Sequence, residues 1–125
     1  MLRLILLVGT GGFLGTVSRF LASRYITAYF PTSFPFGTFV VNILGCLLIG
    51  LIYGIAEKGD FLSTEWRLFL TVGFCGGFTT FSAFAAENMA MLRDSELFNF
   101  FLYTGGSIFI GLLATFAGIM FIKIL

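Results

Sequence analysis

Gly73-Phe74-Cys75-Gly76-Gly77-Phe78-Thr79-Thr80-Phe81-Ser82-Ala83-Phe84 lies inside a charge-free apolar segment, yet it carries two adjacent glycines and the hydroxyls of Thr79, Thr80 and Ser82. A lipid-spanning helix has no need of that combination. In hydrocarbon every backbone N–H and C=O must be paired, so irregular backbone persists at depth only where protein buries it or it lines a polar path. The stretch therefore predicts a broken spanning helix with an ion or solute site at the break.

The rest of the chain supports a membrane setting. Its 125 residues are 58% hydrophobic and only 10% charged, with 18 Phe and a mean hydropathy of +1.05. A soluble domain carries about 25% charged residues. Uncharged runs cover 4–18, 25–56, 68–86 and 97–122, and about 20 apolar residues cross a bilayer. The second run is too long for one crossing and contains Pro31-Thr32-Ser33-Phe34-Pro35, a proline-punctuated turn. Four spans follow, at about 2–29, 37–57, 66–92 and 96–123, in a single all-α transmembrane domain over 1–125. Lys58-Gly59-Asp60 reads as a helix stop, and Ser63 with Glu65 and Ser95 with Glu96 read as N-caps followed by first-turn acids. The first run is long and continues into Arg19 and Arg24, so it reads as a retained span rather than a signal peptide.

Several classes of chemistry are disfavoured. There is no His, which removes the commonest metal ligand and the usual general base, so the chain does not read as an enzyme. Cys46 and Cys75 fall inside spans as small buried hydrophobes. A net charge of +1 gives no footprint for nucleic acid.

Four spans place Arg3, Lys58, Arg67 and Lys123 on one side and Arg19, Arg24 and Arg93 on the other. Orientation is set by an excess of Lys and Arg on cytoplasmic loops, and a split of four to three hardly chooses. Insertion in both orientations follows, with an antiparallel dimer related by a two-fold axis in the membrane plane. The same split is also what a chain with few charges shows. Gly11 and Gly15, Gly50 and Gly54, and Ser107, Gly111 and Thr115 repeat at four-residue spacing, the pattern of close helix packing.

Polar residues at depth are the functional candidates. Asn42 carries an amide that needs partners for its donors and its acceptor; it either staples helices or donates to a solute. Thr79, Thr80 and Ser82 are either bonded back to the preceding turn or part of a path. Tyr103 and Ser107 share one face of the fourth helix. Phe81 and Phe84 share a face with Asn88, and the positive ring edge of an aromatic suits an anion.

Residues 11–20 (Gly-Gly-Phe-Leu-Gly-Thr-Val-Ser-Arg-Phe), 37–45 (Gly-Thr-Phe-Val-Val-Asn-Ile-Leu-Gly) and 73–84 together resemble the three signature blocks of the Fluc/CrcB fluoride channels. Three blocks in order, over the whole chain, are specific where one would be weak. The resemblance implies a dual-topology antiparallel homodimer in the cell inner membrane that passively exports fluoride, with two pathways lined by both subunits. Asn42 resembles the pore asparagine, and Phe81 and Phe84 the aromatics whose ring edges contact fluoride. Ser82, Tyr103, Ser107 and Thr38 match polar pathway residues, with Thr80 beside them, Arg19 a vestibule arginine and Glu87 a carboxylate near one pore end. The family also implies a structural sodium ion at the dimer centre, held here by the backbone carbonyls of Gly76 and Thr79. Thr16 stands where Ala is commoner and Phe20 where Tyr is.

Fluoride is small and strongly hydrated, so a pore must replace its water with closely spaced neutral donors that bind without trapping it. The alternative is a small four-span proton-coupled multidrug transporter, which needs an ionisable group at depth. Glu87, late in the third span, is the one buried candidate. A purely structural membrane protein would share the packing glycines but leave the glycine-hydroxyl stretch unexplained.

Overall fold

The computed structural model describes residues Met1–Leu125 and is entirely helical. Helix α1 covers Leu2–Tyr29 and α2 covers Phe36–Lys58. The third span, Thr64–Arg93, is segmented: α3 (Thr64–Leu68), a π-helical turn (Phe69–Cys75), α4 (Gly76–Phe78) and α5 (Phe81–Arg93). Helix α6 covers Leu97–Ile124. Four helical stretches are thus long and apolar enough to cross a membrane.

The chain ends and connectors show how the sequence sets these limits. Pro35 sits at the N-cap of α2, where its missing N–H costs nothing. Ser63 caps α3 by accepting from Trp66 N at 3.2 Å. Ser95 differs from its reading as an N-cap of the fourth span. It adopts φ 58°, donates its N–H to Leu92 O at 3.2 Å, and is followed by Glu96 N donating to Met91 O at 2.8 Å. This pair of bonds is a Schellman motif that closes α5. Glu96 occupies the N-cap of α6 without a side-chain bond.

Arg3 pairs with Glu65 at 3.0 Å, and Lys58 Nζ donates to Ile122 O at 3.1 Å. These contacts gather the start of α1, the end of α2, the start of α3 and the end of α6 at one end of the bundle. At the other end, Asn99 donates to Ser33 at 3.1 Å. Consecutive spans are therefore antiparallel.

Helix α2 packs most extensively on α6, and α1 packs on the π-helical turn and α4. Missing side chains make both contacts possible. A methyl on Gly11 would lie 2.6 Å from Phe69 O, and one on Gly15 would run into the Phe74 carbonyl. On the other seam, a methyl on Gly50 would run into the Thr115 carbonyl, and one on Gly118 would lie 2.7 Å from Leu47 O. Backbones in contact gain dispersion that lipid cannot replace. Close approach of α1 along the Gly11 and Gly15 face coincides with the wide π turn opposite it, a deformation frequent at functional sites.

Candidate functional site

The helical pattern of the third span stops at Phe78 and restarts at Phe81. Thr79 (φ −93°, ψ 160°) and Thr80 (φ −150°, ψ 122°) are extended between them. Extended residues at this depth free backbone groups that a helix would have paired, and each needs another partner. Asn42 of α2 supplies two of them. Its Nδ2 donates to Thr80 O at 3.1 Å, and Thr80 N donates to its Oδ1 at 2.8 Å. Arg19 of α1 donates through Nε to Gly77 O at 3.0 Å, placing a cation at the C-terminal end of α4. Grouped by the sequence with Arg24 and Arg93 at the far side, Arg19 turns to the middle of the bundle instead.

The hydroxyls divide their work. Thr79 bonds back to Cys75 O at 3.0 Å, the usual habit of Thr in a spanning helix. Thr80 caps α5 by accepting from Ala83 N at 3.2 Å, and its oxygen lies 3.4 Å from that of Ser82. Ser82 is exposed.

A groove of about 420 Å³ opens beside these extended residues. Asn42, Thr80, Phe81, Phe84 and Ser107 line it, bringing five of the sequence candidates together. Ser107 Oγ is buried there with no hydrogen-bond partner, an unmet donor in an otherwise paired interior. The ring centroids of Phe81 and Phe84 are 5.7 Å apart; Phe84 is half-buried and Phe81 is 80% exposed. Gly76 and Thr79 also line the groove. No side-chain donor reaches either carbonyl, and a methyl on Gly76 would meet only Thr71 O at 3.8 Å.

Thr38, Tyr103 and Glu87 form a second polar cluster apart from the groove lining. Thr38 Oγ1 donates to Glu87 Oε2 and Tyr103 OH donates to Glu87 Oε1, both at 2.9 Å. Tyr103 is fully buried, with its ring centroid 5.0 Å from that of Phe84 and 5.5 Å from that of Phe34. Tyr103 and Ser107, on one face of α6, thus serve different neighbourhoods: the first fixes Glu87 and the second faces the groove.

Two features carry no site assignment in the sequence reading. Both free thiols, Cys46 and Cys75, line the groove, a consequence of how α2 meets the π turn rather than of any spacing in the chain. Asn88 is buried and accepts from Thr104 Oγ1 at 3.0 Å. Asn88 and Thr104 directly follow Glu87 and Tyr103 in the chain, so the two contacts sit side by side between α5 and α6.

The profile of the family described as "CrcB-like protein, Camphor Resistance (CrcB)" matches residues 6–119 of the chain. A Flavobacterium psychrophilum protein named "Fluoride-specific ion channel FluC" is 45% identical over 122 residues, covering 98% of both chains. A Chlorobium luteolum protein of the same name is 51% identical over 121 residues, covering 95% of this chain and 92% of the relative. A third so named, from Chlorobaculum tepidum, is 47% identical over 120 residues, covering 96% and 94%.

Proposed function

The chain belongs to the CrcB-like family, and from that membership and the groove we propose that it is a fluoride-specific ion channel rather than an enzyme. It lets fluoride leave the cytoplasm down its gradient. One observation carries the site assignment: the Asn42 amide, the extended Thr79-Thr80 backbone, the Phe81 and Phe84 rings and the unpartnered Ser107 hydroxyl meet in one groove.

The amide, the hydroxyl and the two rings each offer hydrogen to an anion without a full positive charge. Asn42 uses one Nδ2 hydrogen on Thr80 and keeps the second, Ser107 keeps its own, and the two rings present C–H edges. Neutral donors bind strongly enough to strip water and weakly enough to release the ion. Ser82 and Thr80 continue the polar lining, Arg19 draws anions toward the interruption, and the cluster of Thr38, Tyr103 and Glu87 forms one end of the path.

The functional unit is an antiparallel homodimer in the cell inner membrane, its copies inserted in opposite orientations. Supporting this, Phe81 is left 80% exposed on the wall of an open groove, so a single protomer encloses only part of the path. In such a dimer the broken third spans meet, and the carbonyls of Gly76 and Thr79 from two copies make four oxygens. Those would hold sodium, whose charge favours anions nearby.

Proton-coupled drug exchange is the poorer reading. It requires a carboxyl that trades its proton for substrate, and both oxygens of Glu87 are engaged by Tyr103 and Thr38.

The deciding experiment is flux. Purified protein in liposomes loaded with fluoride and chloride should release fluoride passively while retaining chloride. Drug-driven proton exchange without fluoride release would overturn the assignment.

A further inference from the structure

We propose that Asn88 is a further anion-coordinating residue of the fluoride path, with Thr104 as the positioning residue that sets its amide. The inference rests on the channel reading above and extends it one helical turn beyond the groove.

Asn88 is only 8% exposed, at a depth where an amide without partners is costly. Thr104 Oγ1 donates to Asn88 Oδ1 at 3.0 Å. That single bond fixes which way the amide faces, because the hydroxyl hydrogen must meet the oxygen and not the nitrogen. Nδ2 makes no hydrogen bond within the protomer, and it reaches the protomer surface, since Ser107 Oγ is the one fully buried side-chain polar atom without a partner. The amide is thus satisfied on its acceptor side and presents its donor side at that surface. An anion is the ligand that such a group recognises.

Its position fits. Residues 81, 84 and 88 fall at i, i+3 and i+7 on α5, one face of a helix, so the Asn88 donors follow the two aromatic rings that line the groove. Thr104 neighbours Tyr103, whose ring is 5.0 Å from that of Phe84. The adjacent Glu87 carboxylate would repel an anion, but Thr38 and Tyr103 each hold one of its oxygens at 2.9 Å. The path thereby passes from ring edges to a neutral amide without meeting an unpaired carboxylate oxygen.

The simpler role, a staple between α5 and α6, is separable by chemistry. Asn88→Asp keeps an acceptor for the Thr104 hydroxyl and removes both N–H donors. Fluoride efflux from liposomes, measured per folded protein after size exclusion, should fall about tenfold or more, the scale of one lost hydrogen bond to a charged group. Thr104→Val, which lets the amide turn over, should lower efflux, and Thr104→Ser should restore it. If Asn88→Asp folds and conducts like the unsubstituted protein, the proposal is wrong. If Asn88→Asp fails to fold, equal flux through Thr104→Val and Thr104→Ser overturns it instead. The unsubstituted protein in the same assay tests the channel reading separately, since its failure to pass fluoride would remove that reading whatever the variants do.

Discussion

Asn42 and Thr80 are joined by two hydrogen bonds of opposite sense, 3.1 Å from amide nitrogen to carbonyl and 2.8 Å from backbone N–H to amide oxygen. The pair substitutes for bonds that a continuous helix would have made at Thr80. One side chain thus answers the cost of extended backbone at membrane depth and still keeps a hydrogen for the groove. The alternatives posed by the sequence for Asn42, staple or solute donor, are compatible roles of one amide. Arg19 does related work at Gly77 O, so polar side chains of α1 and α2 together hold the interruption.

Asn42→Ala should therefore damage fold and flux together. It leaves the Thr80 N–H and C=O without their partner, at about 1–3 kcal/mol for each buried group left unmade. Thermal unfolding in detergent should shift down and fluoride efflux should be lost. Asn42→Asp, which keeps the acceptor for Thr80 N, should fall between the two in stability. A wild-type melting curve for Asn42→Ala would show that the amide is not needed by the backbone.

Phe81 and Phe84 should separate from this behaviour. Phe81 is 80% exposed, so Phe81→Ile removes little packing within the protomer. Phe84→Ile gives up tilted ring contacts to Phe81 and Tyr103, about 0.5–1.5 kcal/mol for an aromatic pair. Both should abolish fluoride efflux with the dimer intact by size exclusion, because a branched aliphatic chain offers no polarised ring edge. Undiminished efflux in either variant would remove ring edges from the mechanism.

The spans were legible because hydropathy and proline punctuation act locally: Pro35 starts α2 and Ser63 caps α3 from their own chemistry. The glycines of residues 73–84 marked the unusual segment, while the extended backbone itself falls at Thr79 and Thr80. The reason is tertiary: Gly77 packs under α1, where a methyl would lie 2.6 Å from Gly12 O, and Asn42 holds Thr80 from another helix. Helix rotation was likewise illegible. That Tyr103 turns to Glu87 and Ser107 to the groove depends on α6 packing against α2 and α5, which spacing along α6 does not specify. Ser95 was misassigned because serine is a common N-cap, whereas its φ of 58° reflects the need to close α5.

That Ser95 conformation makes a stability prediction free of any flux effect. A left-handed residue with a Cβ is strained, and glycine is not. Ser95→Gly should stabilise the protein by up to about 1 kcal/mol, and Ser95→Val should destabilise it, with fluoride efflux per folded protein unchanged in both. Equal unfolding midpoints across the three side chains would mean that the Schellman turn is not formed.

Glycines inside spanning helices should respond differently according to what lies beside them. A methyl on Gly50 runs into the Thr115 carbonyl, backbone on both sides, whereas one on Gly105 has nothing within 4 Å. Gly50→Ala must push α2 and α6 apart, at about 1–3 kcal/mol for an overpacked contact. Gly105→Ala meets no such obstacle and gains helix propensity of about 1 kcal/mol. Thermal unfolding in detergent should therefore move down for Gly50→Ala and stay level or rise for Gly105→Ala. A drop for Gly105→Ala accompanied by a shift to monomer on size exclusion would instead place that face of α6 against the second copy.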